Sequence, residues 1–236
     1  MNKISFKTII LTIFLISTAA NGQDTITTGT PKLIPYRQGD KWGFCDKNKN
    51  IIIPLRYKEA KYFRDGLAEV TDAGIGRNHT GFIDESGNPV IPLSYDEVSY
   101  FCEDLVKVKI FEPFIKDKVG FYNRQGNLII PLIYEDAGIF SNGLAPVKSD
   151  GLWGYIDKKN NLVIPFKYRE AQSFYEGMAG VCLNNKWGFV NLKGEEVVPP
   201  KYEYTDTYFH DNLAEVHLNG KSGYVDRYGT EYWNDK

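Results

Sequence analysis

Trp153-Gly154-Tyr155-Ile156-Asp157 is one of six copies of a short pattern in which a glycine is followed by an aromatic residue and, two positions further on, by Asp or Asn. The others are Trp42-Gly43-Phe44-Cys45-Asp46, Thr80-Gly81-Phe82-Ile83-Asp84, Val119-Gly120-Phe121-Tyr122-Asn123, Trp187-Gly188-Phe189-Val190-Asn191 and Ser222-Gly223-Tyr224-Val225-Asp226. Self-similarity at a steady spacing overrides the length-based prior of one or two ordinary domains, so the 236-residue chain reads as an array of small units.

Outward from each glycine the landmarks keep step. Proline follows at Pro54, Pro92, Pro131, Pro165 and Pro199, then tyrosine at Tyr57, Tyr95, Tyr134, Tyr168 and Tyr202, then an aromatic at Phe63, Phe101, Phe140, Phe174 and Tyr208. A Leu/Met-x-x-Val step closes the unit, as in Leu67 to Val70, Leu144 to Val147 and Met178 to Val181. The glycine stretch is aromatic and β-branched, which suits a strand. Asp or Asn three residues after the glycine, with Gly87, Gly126, Asn160, Gly194 or Gly229 three later, is the chemistry of a type I turn closed by a left-handed residue, and so predicts a hairpin. The first copy has Lys49 there, and the adjacent Asn48 and Asn50 are the expected left-handed residues.

The returning strand is aliphatic, as in Ile51-Ile52-Ile53 and Leu162-Val163-Ile164, and proline is expected to end it because it cannot donate to a ladder. The segment from proline to the next aromatic reads as irregular. Asp65-Gly66, Asn142-Gly143 and Glu176-Gly177 then turn the chain into the Leu-x-x-Val strand, which pairs with the next glycine strand. The expected fold is all-β: an open, curved array of six three-stranded antiparallel β-meander repeats, with a closed six-bladed β-propeller as the alternative. Three strands are few for a propeller blade. The units run over about 33–66, 67–104, 105–143, 144–177, 178–212 and 213–236, the last having Asn234 where the others have proline.

These residues resemble the bacterial WG-repeat (KWG-repeat) family, whose units read Lys-Trp-Gly-Tyr-Ile-Asp, Ile-Pro-x-x-Tyr, Phe and Gly-Leu-Ala-Pro-Val. The copy from Leu144 to Tyr168 matches almost position for position, and the resemblance spans about residues 33 to 233. It implies a β-rich array and brings no reaction or ligand with it. The repeat signature here comprises Trp42, Gly43, Gly81, Gly120, Trp153, Gly154, Trp187, Gly188 and Gly223, with Thr80, Val119 and Ser222 standing where the family has tryptophan.

Residue types that carry chemistry give no catalytic constellation. The residue after each glycine is aromatic in all six copies and reads as a core spine: about 200 Å² of ring buried at about 25 cal/mol per Å² contributes about 5 kcal/mol gross. Trp42, Trp153 and Trp187 read as packing, or as a row of sugar-stacking rings. Asp46, Asp84, Asp157 and Asp226 suggest calcium or glycosidase carboxylates, but Asn123 and Asn191 replace them in two copies, which a turn accepts and a catalytic acid does not. His79, His210 and His217 are scattered, no Gly-x-Ser-x-Gly elbow occurs, and Gly74-Ile75-Gly76 lacks the third glycine of a dinucleotide loop. No metal or cofactor is expected. Cys45, Cys102 and Cys182 occupy different repeat positions and leave at least one free thiol.

Residues 1–22 carry Lys3 and Lys7, an apolar run from Ile9 to Ile16, and Ala20 and Gly22 at a cleavage position, which predicts a signal peptide removed before Gln23. Residues 23–32 read as a flexible lead-in. The expected location is secreted or periplasmic, with no stable membrane span after cleavage, because the apolar run is too short to cross a bilayer. With 28 basic and 30 acidic residues and no basic stripe, nucleic acid is not an expected partner.

The sequence therefore predicts an exported, non-catalytic binding or scaffold module of the bacterial envelope, with a protein or cell-envelope glycan as its partner. The alternative is an envelope polysaccharide hydrolase, acting through Glu103, Asp104 or Glu112, or a carbohydrate-binding protein. The connections after Val70 and Val108 are longer than the others and predict two enlarged hairpins side by side on one rim. Arg77 and His79 on one, with Phe111, Phe114 and Lys116 on the other, are the expected partner-binding residues.

Overall fold

The computed structural model describes residues 31–73, 77–205 and 208–233. The expected signal peptide, nearly all of the lead-in, the Gly74-Ile75-Gly76 stretch and the Asn234 cap lie outside them. Contacts divide the chain at Pro31, and every strand belongs to the unit that begins at Lys32.

The described chain is all β and forms six antiparallel sheets in sequence order. The first contains β1 (Ile34–Gln38), β2 (Lys41–Cys45) and β3 (Ile51–Tyr57). The second contains β4 (Glu59–Ala60), β5 (Leu67–Ala73), β6 (Asn78–Asp84) and β7 (Pro89–Tyr95). The third has β8 (Glu97–Val98), β9 (Leu105–Ile110), β10 (Lys118–Asn123) and β11 (Leu128–Tyr134). The fourth has β12 (Asp136–Ala137), β13 (Leu144–Ser149), β14 (Leu152–Asp157) and β15 (Leu162–Tyr168). The fifth has β16 (Glu170–Ala171), β17 (Met178–Leu183), β18 (Lys186–Asn191) and β19 (Glu196–Tyr202). The sixth has β20 (Tyr204–Thr205), β21 (Leu213–Leu218), β22 (Lys221–Asp226) and β23 (Glu231–Trp233). Strand order within each sheet follows the chain. Among the described residues, extensive contacts join strands of one sheet or of consecutive sheets, and none joins the first sheet to the sixth, so the array is open.

The three-stranded meander is the body of every sheet, but two local expectations fail. Proline does not end the returning strand: β3 runs through Pro54 to Tyr57, and β7, β11, β15 and β19 run through their prolines likewise. The physical reason is position. The returning strand is the last in each sheet, so the missing N–H falls on an edge with no partner to serve. The stretch after the tyrosine is not irregular either. It supplies a two-residue strand that pairs with the Leu-x-x-Val strand of the next sheet, as Glu59 and Ala60 do with Thr71 and Val70.

The glycine of the signature is required by its own returning strand. Between Trp42 and Phe44 β2 advances two residues while its partner advances four, from Tyr57 back to Ile53, and the surplus bulges over Gly43. A Cβ on Gly43 would meet the Ile53 carbonyl oxygen at 2.4 Å and that of Pro54 at 2.7 Å. The other copies share this crowding: Gly188 would meet the Val198 oxygen at 2.3 Å. The close backbone approach at these glycines is therefore made within a unit, not between neighbours.

The core lies between sheets, and one layer recurs. Between the first and second sheets, Leu33, Phe44, Ile53 and Tyr57 pack on Ala68, Val70 and Ile83. Between the fourth and fifth, Leu144, Tyr155, Ile164 and Tyr168 pack on Ala179, Val181 and Val190. The expected core spine is present in five copies, Phe44, Phe82, Phe121, Tyr155 and Phe189 all being buried. Tyr224 of the sixth sheet is 42% exposed. Each buried ring meets the connector aromatic, with centroids 4.6 to 5.1 Å apart. In the fifth unit that partner is Phe209 rather than the expected Tyr208. Tyr208 instead stacks on Tyr175 at 5.3 Å.

Candidate binding rim

The hairpins that join each Leu-x-x-Val strand to its glycine strand differ in length. In the last three sheets they turn through Asp150-Gly151, Asn184-Asn185 and Asn219-Gly220, each pair with positive φ at both residues, the geometry of a two-residue type I′ turn. In the second and third sheets the β5–β6 and β9–β10 connections are longer, and the structure joins them. Arg77 Nη1 donates to the Phe111 carbonyl at 2.9 Å and to both Asp96 oxygens at 3.2 and 3.3 Å. Asp96 in turn accepts from the Phe111 N–H at 2.8 Å. The Lys109 ammonium sits 5.2 Å from the centre of the Phe111 ring.

Beyond that junction Phe114 is 98% exposed and Ile115 73%. Lys116 points to the following sheet, where it pairs with Glu135 and lies 3.5 Å from Asp150. Glu135 also accepts from the Gly151 N–H at 3.3 Å, and the Lys116 hydrogen bond holds its carboxyl below the usual carboxylate range. Of the five residues expected to bind a partner, Arg77 and Phe111 are thus brought together, and Phe114 and Lys116 lie on the same loop. His79 is not on a loop: it belongs to β6, opposite Asp72. The ladder extends up this long hairpin, with His79 paired to Asp72 and Asn78 to Ala73.

A cleft of about 770 Å³ opens beside the first long hairpin, between the β1–β2 turn and β4, lined by Arg37, Lys41, Trp42, Lys58, Lys61 and Asn78 among others. The repeat signature contains only one of these residues, so nothing in its spacing pointed to the cleft. Trp42, Trp153 and Trp187 are all half-buried and packed against the inter-sheet core. Of the three, Trp42 also lines the cleft.

The recurring aspartates are turn residues. Asp46 Oδ1 accepts the N–H groups of Asn48 and Asn50 at 2.8 Å, and Oδ2 accepts from the Asn50 side chain at 2.9 Å. Asn123 and Asn191 place Oδ1 in the same way. The Asn50 side chain and backbone hold the Asp46 carboxyl below its usual value, the Asn88 N–H does so for Asp84, and the Asn161 side chain for Asp157. The left-handed position closing the first turn is Lys49 itself, at φ 66°, and not either neighbouring asparagine.

The carboxylates expected for a hydrolase are engaged separately. Glu103 accepts from the Gly143 N–H and pairs with Lys158 at 3.1 Å, Asp104 pairs with Arg124 at 3.2 Å, and Glu112 with Lys118 at 3.6 Å. Among the described residues no three His, Cys, Asp or Glu side chains gather as a metal site. No helix among them is long and apolar enough to cross a membrane. Cys45 and Cys182 are buried, Cys102 is half-buried, and all three are free thiols. Burial pushes the Cys102 and Cys182 thiols up.

Comparison with known proteins bears on the fold. A solved structure described as a eukaryotic initiation factor superposes with a TM-score of 0.56 at 9% identity, covering 86% of this chain. The chain spans 62% of that protein's length. A tricorn protease structure matches with a TM-score of 0.30 at 11% identity over 82% of this chain and 22% of its own. No curated protein sequence matches. The family model for the WG containing repeat matches residues 42–74, 81–110, 120–153, 153–187 and 187–221. Its period coincides with the sheets found here, each match opening on or beside a signature glycine, and this chain belongs to the WG-containing repeat family.

Proposed function

We propose that the chain is an exported, non-catalytic binding module of the bacterial envelope that takes its partner on the rim carrying the two long hairpins. The observation that carries this reading is the Arg77 junction. It fixes two enlarged loops of adjacent sheets to one another while Phe114 stands almost fully in solvent and Ile115 is largely exposed. A rigid base presenting exposed apolar side chains is the arrangement of an interface anchor, and stacked repeats offer such a surface without an enclosed active site.

The test places a photo-crosslinking residue at position 114 and, as a control, at position 228, where Tyr228 is 84% exposed on a different turn. Expression in the native host should give an intact mass lacking residues 1–22 and a defined crosslinked species from position 114 alone. Full-length cytosolic protein overturns the export reading, and equal crosslinking from both positions overturns the rim.

A further inference from the structure

We infer that the cleft at Trp42 is a binding site for a carboxylate-bearing saccharide, an acidic sugar of a polyuronate type, distinct from the exposed Phe114 and Ile115 of the hairpin rim. At about 770 Å³ it falls within the range of small-ligand sites, roughly 300–1,000 Å³. Its chemistry is asymmetric. Arg37, Lys41, Lys58 and Lys61 line it together with Asp40 and Glu59, on a chain whose formal charge is −2. The positive balance is therefore local to this cleft.

Two of these cations have prior engagements: Lys61 pairs with Glu69 at 2.7 Å and Lys58 donates to the Asn78 side-chain oxygen at 3.1 Å. Arg37 and Lys41 do not meet an acidic side chain among the described residues. Arg37 is directly paired with Trp42 across the β1–β2 hairpin, so the two side chains share a face, with the guanidinium 5.9 Å from the ring centre. Its Nε donates to the Gly39 carbonyl at 2.8 Å, which orients the group and leaves the terminal nitrogens to grip a carboxylate.

A half-buried indole beside an oriented guanidinium matches a pyranose ring that carries a carboxylate. The ring's C–H face meets the indole, the carboxylate meets Arg37, and Lys41 supplies the second cation. The same cations repel a metal ion, and a neutral sugar would leave them unused.

The probe is tetragalacturonate, titrated into the purified chain while tryptophan emission and heat are followed. Cellotetraose, of the same length without carboxylates, is the comparison. Saturable binding of tetragalacturonate, at least tenfold weaker for cellotetraose and for the Arg37→Gln/Lys41→Gln double variant, supports the site. Both substitutions are at surface positions. Should the double variant not fold, Lys58→Gln is read instead, with a loss of threefold or more expected. Absent binding, equal affinity for the neutral tetrasaccharide, or full affinity in the folded variants overturns the proposal. A Phe114→Ser/Ile115→Ser chain, in which every residue lining the cleft is kept, should bind tetragalacturonate as the parent does, so failure here and failure of the hairpin rim are read in different proteins.

Discussion

The Phe189 and Phe209 rings meet edge to face with centroids 4.6 Å apart, and both are buried to within 1%. In the four earlier units the connector aromatic stands six residues after the tyrosine, whereas Phe209 stands seven after Tyr202. Isolated bridges flank every such ring alike, Arg64 with Leu67 beside Phe63 and His210 with Leu213 beside Phe209. The fifth connector therefore absorbs one extra residue ahead of the ring, because burial of the ring sets the register and connector length does not. Phe209→Ala should lower stability by about 3–5 kcal/mol, as for a large ring removed from a core. Tyr208→Ala, at a half-exposed site, should cost less than about 1 kcal/mol. Urea midpoints of the two variants check this, and equal losses would restore Tyr208 to the core position.

The bulge over the signature glycine gives a second test. Gly188→Ala forces a Cβ against the Val198 oxygen and the Pro200 nitrogen, which are backbone atoms and cannot step aside as a side-chain tip can. A loss of about 3 kcal/mol is expected, at the upper end of overpacking costs. Gly177→Ala has open space around it and pays only for φ +78°, so its loss should be about 1 kcal/mol. Chemical denaturation of both in the same buffer separates crowding from backbone strain.

Lys49 holds a left-handed conformation that five other copies give to Gly or Asn. Lys49→Gly should raise stability by about 1 kcal/mol, since the lysine side chain is exposed and makes no hydrogen bond or ion pair among the described residues that offsets the strain. An upward shift in thermal midpoint confirms it, and a downward shift refutes it.

The turn aspartates predict an acid limb. Asp46, Asp84 and Asp157 have carboxyl pKa values lowered in the folded chain by hydrogen bonds to the charged form. Their contribution to stability is present above the unfolded value, about 3.9, and is lost as pH falls through the lower folded values. A triple Asp→Asn variant at these positions keeps the turn acceptor, as Asn123 and Asn191 do, and should show a flatter fall in thermal midpoint below about pH 4. An unchanged slope would assign the acid limb to other carboxylates such as Glu135 and Glu231, which Lys116 and Lys201 hold low.

The sequence by itself determined the repeat, the meander of three strands, the turn role of the aspartates and the aromatic spine. Each depends on residues close in the chain: alternation sets the faces of a strand, and a side chain four residues from its partner N–H fixes a turn. Adjacency of the two long hairpins was legible too, since equal positions in stacked units must emerge on one rim. Only the tertiary structure decided that proline continues the returning strand, that Glu59-Ala60 and its counterparts pair with the next sheet, and that Phe209 rather than Tyr208 fills the core. Those outcomes depend on which backbone groups face an empty edge and which ring reaches the gap between sheets. The Trp42 cleft was hidden for the same reason. Arg37 and Lys41 come from one sheet, Lys58 and Lys61 from the start of the next, and only the packing of sheet on sheet puts their charges around one tryptophan.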